Sequence, residues 1–162
     1  MKISDPEQLQ DKSSDRQEGD RVFGGARMSE SYVGIDVSKD YLDVAVRPSG
    51  EVFRVENSEA TLSDLTKRLL ELGPKLVVME ATGGYETLAA AALFDGGVTQ
   101  VAIVNPRWVR EFCRASGAFA KTDRADARLL AHYAEAMEPA VRAFPTREER
   151  ELKALVSRRR QI

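Results

Sequence analysis

The pattern of apolar and polar positions changes along the chain from the two-residue period of strands to the longer period of helices. Three short segments after residue 31 are rich in β-branched and aromatic residues, and turn residues separate them. In the second and third segments, apolar and polar positions alternate. The pattern predicts a three-stranded antiparallel meander with strands at 32–38, 41–47 and 51–57.

From residue 58 onward, helical spacing alternates with short buried strands. Helices are predicted at 58–73, 83–97, 106–117, 122–137 and 146–162, and strands at 75–81 and 98–105. Ser58 is the expected N-cap of the first helix, Gly73 its expected stop, and Pro106 takes the first position of the third helix. This order predicts an α/β fold, in which a mixed sheet carries helices on both faces.

Residues 1–30 are polar and charged and show almost no periodicity, which predicts a disordered extension. This segment lacks an apolar h-region, and no run of about 18 apolar residues occurs, so neither a signal peptide nor contact with a membrane is expected. The single cysteine, Cys113, excludes a disulfide within the chain and fits a cytoplasmic protein.

The net charge of −2 conceals an uneven distribution of charge along the chain. Residues 1–104 carry a net charge of −7, whereas residues 105–162 carry +5, mostly through arginine, which binds phosphate in a bidentate manner. The basic last third predicts contact with nucleic acid, although a solvated helical face explains the charge equally well. The candidate nucleic-acid-binding residues are Lys121, Arg124, Arg128, Arg158, Arg159 and Arg160.

Four acidic residues stand out by their positions. Asp36 interrupts an otherwise apolar strand, and Glu80 ends the buried strand "LVVME", where ligand sites of α/β sheets gather. Asp123 and Asp126 are three residues apart, on one face of the predicted helix. Each acid also has a structural explanation: an ion pair with Lys39 for Asp36, a helix cap for Glu80, and the helix dipole for the aspartate pair.

Taken together, the four carboxylates predict a metal site. Carboxylates that converge from separate elements repel one another unless cations hold them, and hard cations such as Mg²⁺ prefer oxygen ligands. Two such ions about 4 Å apart can clamp the attacking and leaving oxygens of a phosphodiester. Nearby arginines would then contact the nucleic-acid backbone.

The motifs around these acids resemble the DEDD-type insertion-sequence transposases, the group that includes the Piv pilin-gene invertase. The matching stretches are "GIDVSKDYLDVAV" at 34–46, "VVMEATGGYE" at 77–86, "VAIVNPRWVREF" at 101–112 and "KTDRADARLLA" at 121–131. The resemblance implies a ribonuclease H-like (RuvC-like) catalytic domain, which we expect at residues 31–140. The acid tetrad of the family corresponds to Asp36, Glu80, Asp123 and Asp126 here, and implies catalysis with bound Mg²⁺ or Mn²⁺.

The resemblance also implies partners and further parts. Members of this family act on DNA, and some use a structured guide RNA that pairs with donor and target DNA. They continue through a coiled coil into a C-terminal domain whose serine attacks DNA. Residues 141–162 resemble the start of that coiled coil, so we expect self-association through this helix, and the serine-bearing domain is expected to be absent from this chain.

The expected function is therefore Mg²⁺-dependent DNA strand cleavage and transfer in DNA transposition. Guidance by an RNA is one form that this function could take. One alternative is a RuvC-like Holliday-junction nuclease that cuts alone, and another is an inactive nucleic-acid-binding module. A sugar-kinase or actin-like ATPase has a phosphate-binding hairpin similar to 34–46, but it needs two such domains.

Two smaller features have competing interpretations. The turn Thr82-Gly83-Gly84 either cradles a phosphate or simply connects a strand to a helix, and the second interpretation is favoured. Trp108 and Phe112 are interpreted as core residues rather than as a surface for base stacking.

Overall fold

The computed structural model describes residues 30–117 and 127–159, which form a sheet of five strands together with five helices. In chain order the elements are β1 (Tyr32–Val37), β2 (Tyr41–Arg47), β3 (Val52–Glu56), α1 (Glu59–Leu72), β4 (Leu76–Glu80), α2 (Glu86–Asp95), β5 (Val101–Val104), α3 (Pro106–Ala115), α4 (Ala127–Met137) and α5 (Arg147–Arg159).

The sheet has the strand order β3-β2-β1-β4-β5. Short turns join β1, β2 and β3 into the predicted antiparallel meander. β4 and β5 follow crossover helices, so they lie parallel to β1 and to each other. Only β2 therefore runs against the other four strands. This mixed order is that of the ribonuclease H-like fold, so the predicted fold class is confirmed.

Helices cover both faces of the sheet, as the order of elements predicts. On one face, α1 and α2 bury a core that includes Ile35, Leu62 and Met79. On the other face, α3 and α4 bury Val78 and Leu130 in a second cluster. The alternation of the strands explains the division, because successive side chains point to opposite faces.

Helix α4 lies unusually close to β1. A β-carbon at Gly34 would come closer than 3.0 Å to the carbonyl oxygen of Ala127 and to the amide nitrogen of Ala131. Beyond the other end of α4, the Tyr32 hydroxyl donates to the Glu138 carboxylate at 2.7 Å. The helix thus runs antiparallel to β1, and its first residue lies toward the end of the strand that carries Asp36.

Most predicted boundaries are confirmed to within a few residues. Gly73 ends α1 in the left-handed conformation, with φ of 58°. Ser58 stands at the N-cap of α1 but makes no capping hydrogen bond, because its hydroxyl is bonded to that of Thr61 at 2.6 Å. The interpretation of Trp108 as a core residue is wrong, since 49% of its surface is exposed.

Some predictions fall on residues that the structure does not describe. The extension at 1–29, the start of the fourth predicted helix at 122–126 and the last residues at 160–162 lie outside the described residues. Within the described residues, no helix is both long enough and apolar enough to cross a membrane.

Candidate metal and nucleic-acid site

Asp36 and Glu80 lie side by side near the carboxyl ends of two neighbouring parallel strands. The register pairs Ile35 of β1 with Met79 of β4, so the next residue of each strand is one of the two acids. The alternation of the strands directs both side chains to the face that α4 covers. Neighbouring strands are about 4.8 Å apart, so the two half-buried carboxylates are close together.

The surroundings of Glu80 are unfavourable for a negative charge. Burial raises the pKa of its carboxyl group, the charge of Asp36 raises it further, and Arg110 partly opposes both effects. No hydrogen bond or ion pair to the Glu80 carboxylate is found among the residues at 30–117 and 127–159. A half-buried carboxylate beside a like charge suits a bound cation.

The structure adds Asp43 and Arg54 to this site, and the sequence reasoning missed both. Asp43 of β2 is the cross-strand partner of Asp36, and Arg54 of β3 is the partner of Asp43. Two nitrogens of Arg54 donate to the two carboxylate oxygens of Asp43, each at 2.8 Å, which lowers the pKa of Asp43. The Arg54 guanidinium also interacts with the charge of Asp36. The three-residue connection 38–40 could have revealed this pairing, because it fixes the register of the hairpin.

Glu80 does not cap the following helix, so that alternative is wrong. The carboxylate of Glu86 takes this place, accepting hydrogen bonds from the amide nitrogens of Thr82 at 3.0 Å and Gly84 at 2.9 Å. Two of the backbone amides that could cradle a phosphate are therefore already bonded within the turn. Gly83 and Gly84 have φ angles of 73° and 108°, which supports the interpretation of a tight connection.

The other two predicted acids, Asp123 and Asp126, lie outside the described residues. The peptide bond after Asp126 leads to Ala127, whose carbonyl group packs against Gly34. Within the described residues, no group of three or more histidine, cysteine, aspartate or glutamate side chains could hold a metal ion. The described part of the chain thus contains two of the four predicted ligands.

The predicted nucleic-acid-binding residues are only partly described. Arg128 is exposed on α4, Arg158 and Arg159 fall within the last turn of α5, and Lys121, Arg124 and Arg160 lie outside the described residues. The structure adds an arginine-rich helix: α3 exposes three arginines with near-helical spacing, at positions 107, 110 and 114. The net charge of residues 105–162 already included these arginines. Their spacing along one helix is the sequence signal that could have singled them out as candidate nucleic-acid-binding residues.

Comparison with known proteins identifies the family. Residues 33–162 match the family DEDD_Tnp_IS110, described as Transposase. The chain belongs to this transposase family. This assignment confirms the resemblance inferred from the four sequence motifs.

Two relatives of this transposase-family chain are the pilin gene-inverting proteins of Moraxella lacunata and Moraxella bovis. Each is 30% identical to it over 139 residues, which cover 82% of this chain and 42% of the relative. The chain therefore spans about two fifths of the length of these relatives.

Two solved structures of RuvC from Thermus thermophilus are also similar. The one in complex with a Holliday junction substrate has a TM-score of 0.49 and 14% identity, and the match covers 67% of this chain and 96% of that chain. A second RuvC structure has a TM-score of 0.39 and 13% identity, with 72% and 84% of the two chains covered.

Proposed function

We propose that this chain is the metal-dependent catalytic domain of a transposase or site-specific recombinase, acting on DNA phosphodiesters. The observation that carries the proposal is the juxtaposition of Asp36 and Glu80 on parallel strands, where Arg110 only partly offsets the repulsion between the two carboxylates. Family membership and the names of the Moraxella relatives, which are gene-inverting proteins, support DNA as the substrate.

Asp36 and Glu80 would bind Mg²⁺ or Mn²⁺ together with Asp123 and Asp126. The donor set fits, because carboxylate oxygens are the ligands that these hard cations prefer. Bound cations of this kind activate an attacking oxygen and neutralise the leaving oxygen of a phosphodiester. Arg110 lies near enough to Glu80 to lower the pKa of its carboxyl group. Its positive charge could also attract a DNA phosphate to this edge of the sheet.

The division of the chain into domains is also part of this proposal. We propose an extension at 1–30, the catalytic domain at 31–140 and the start of a coiled coil at 141–162. The exposed apolar side chains of α5, which are Leu152, Leu155 and Val156, support self-association through this helix. The nucleophilic serine would come from a further domain, and the guide RNA and the cytoplasmic location stay predictions.

The proposal can be tested by DNA binding with and without metal. Fluorescence anisotropy of labelled linear and branched DNA should show tighter binding when Mg²⁺ is added, because cations at the acids would bridge to the phosphates. Asp36→Asn and Glu80→Gln should lose this gain. Asp64→Asn, which changes an exposed acid on α1, should keep it. An equal effect of Mg²⁺ in all four proteins would contradict the proposal.

A denaturing gel of the same samples distinguishes the alternatives. We expect no covalent protein–DNA adduct from this chain, because the carboxylates store no covalent intermediate and the family places its nucleophile in another domain. Metal-dependent cutting of branched DNA without an adduct would favour the junction nuclease instead. DNA binding that never responds to metal would favour an inactive binding module.

A further inference from the structure

Trp108 lines a cavity beside β5 and the start of α3. The cavity has a volume of about 620 Å³, within the range of roughly 300–1,000 Å³ that is typical of small-molecule sites. Its walls come from the end of β5, the start of α3, one residue of α4 and the segment that follows α4. We call this cavity the Trp108 pocket; it is lined by Ala81, Ile103, Val104, Asn105, Pro106, Trp108, Tyr133, Pro139, Ala140 and Arg142.

The Trp108 pocket begins one residue from a proposed metal ligand. Ala81, which lines the pocket, directly follows Glu80, and its amide donates to the carbonyl oxygen of Val104 at 3.0 Å. Glu80 itself is the cross-strand partner of Val104. A DNA strand whose phosphate lay at the acids would therefore have its neighbouring nucleotides within reach of the pocket.

The side chains around the pocket combine three chemical groups that suit a nucleobase. Trp108 presents an indole that is 49% exposed, and bases stack on such surfaces. Arg142 is exposed and forms no ion pair with any residue that the structure describes, so its guanidinium can stack or contact phosphate.

The third group is the hydroxyl of Tyr133. Only 5% of this residue is exposed, yet it lines the pocket, and no hydrogen bond to its hydroxyl is found in the described part of the chain. Burial raises the pKa of Tyr133, so the hydroxyl keeps its proton and can donate. The hydroxyl oxygen is not among the fully buried polar atoms, so it stays accessible from the pocket, where the polar edge of a base could bond to it.

We propose that the Trp108 pocket receives an unpaired nucleobase of the DNA strand that is held at Asp36 and Glu80. The base would stack on the indole of Trp108 and bond to the Tyr133 hydroxyl, while Arg142 would contact the adjoining phosphate. This inference rests on the proposed function, since it assumes DNA at the acids.

A second groove, between α1 and α2, is less suited to a nucleobase than the Trp108 pocket. It has a similar volume of about 530 Å³ and exposes Leu70 and Leu88, but two acids, Glu59 and Asp95, also line it. It contains no aromatic side chain, and it lies on the face of the sheet opposite to the carboxylates. Leu70 therefore provides a control for loss of an exposed apolar side chain outside the nucleic-acid surface.

The single tryptophan of the chain makes a direct test possible. The intrinsic fluorescence of the 162-residue protein is titrated with a single-stranded oligonucleotide at low salt, and with an abasic oligonucleotide of the same length. We expect the oligonucleotide with bases to quench the fluorescence and the abasic one to leave it nearly unchanged. Anisotropy of the labelled oligonucleotides measures the affinity independently.

Variants then assign the effect to the pocket. Trp108→Ala should weaken binding of the base-containing oligonucleotide about tenfold but not that of the abasic one, whereas Trp108→Phe should keep most of the affinity. Tyr133→Phe should weaken it about threefold, through loss of one hydrogen bond. Leu70→Ala should change neither. Melting temperatures check that each variant is folded.

The inference fails if the oligonucleotide binds without quenching, or if Trp108→Ala weakens both oligonucleotides equally. It also fails if an apolar peptide, but no oligonucleotide, quenches the fluorescence, since the pocket would then be a protein-docking site. The effect of Mg²⁺ on Asp36→Asn and Glu80→Gln is measured separately, so the proposed function can survive the failure of this pocket.

Discussion

The backbone of Ala127 packs directly against Gly34, with no space for a side chain between them. Two residues beyond Gly34 on the same face of β1 lies Asp36, and one residue before Ala127 in the chain is Asp126. The close approach of α4 to β1 therefore places the first described residue of α4 against the strand that carries Asp36.

Replacement of Gly34 by alanine should be strongly destabilising. The new β-carbon meets backbone atoms of α4, which cannot rotate away, so the helix must shift. We expect the free energy of unfolding in denaturant to fall by roughly 2–4 kcal/mol.

Gly50→Ala is the matched control for this prediction. Its β-carbon would meet no atom within 4 Å, and its φ of 76° leaves only the strain of the left-handed conformation. That strain should cost about 1 kcal/mol. Equal losses in the two variants would mean that the contact between β1 and α4 is looser than described.

The negative charge of Glu80 should lower the stability of the metal-free protein at neutral pH, and protonation of this carboxyl group should remove that cost. Its pKa in the folded protein is raised above the ordinary value of 4.5, so the folded state binds the proton more tightly than the unfolded state. This contribution to the free energy of unfolding therefore increases as the pH falls through the folded pKa, and it is complete below 4.5.

Urea unfolding in the presence of a chelator measures this effect. Glu80→Gln should be more stable than the original chain at pH 7, and the difference should vanish near pH 4. A difference that persists at acid pH would point to packing rather than to charge as its cause.

DNA binding should depend strongly on salt and on the arginines of the C-terminal third. Because arginines release counterions from the phosphates, the logarithm of the affinity should fall linearly with the logarithm of the salt concentration. The double change Arg158→Glu and Arg159→Glu should weaken binding equally for unrelated DNA sequences and make that slope shallower. Lys67→Glu with Arg68→Glu is the control, because both residues lie on α1, which covers the face of the sheet opposite to Asp36 and Glu80, and it should leave the slope unchanged. Binding that is independent of salt would contradict this prediction.

Self-association should depend on α5. Its exposed side chains Leu152 and Leu155 form an apolar stripe too narrow for a core of its own, as in a coiled-coil seam. Removal of residues 146–162 should give a monomer in sedimentation velocity, as should Leu152→Ser with Leu155→Ser. If the intact chain is already a monomer at high concentration, the prediction is wrong.

The sequence predicted the elements well because the local signals were strong. The change of hydrophobic period at residue 58 and the helix stop at Gly73 are properties of short segments, and the structure follows them. The interpretation of Trp108 as a core residue failed because local spacing only places a residue on a helix. Which face of that helix is covered depends on the neighbouring elements.

The site was predictable only in part. The positions of Asp36 and Glu80 within their strands indicated a meeting at one edge, and the parallel register explains why they meet. The role of Asp43 and Arg54 depends on the cross-strand register, and the lining of the Trp108 pocket depends on packing between distant segments. Neither follows from the period of any single segment.

The most direct test of the account is the effect of divalent metal on thermal stability. A cation that binds the folded state alone raises the melting temperature, and the gain grows with its concentration. We expect Mg²⁺ and Mn²⁺ to raise the melting temperature of the original chain and of Asp64→Asn, whereas Asp36→Asn, Glu80→Gln and Asp126→Asn should show no gain. Without metal, Glu80→Gln should melt higher than the original chain, since it removes the repulsion from Asp36. A melting temperature that rises equally in the three site variants, or that does not respond to metal in the original chain, would contradict a metal-binding site at Asp36 and Glu80.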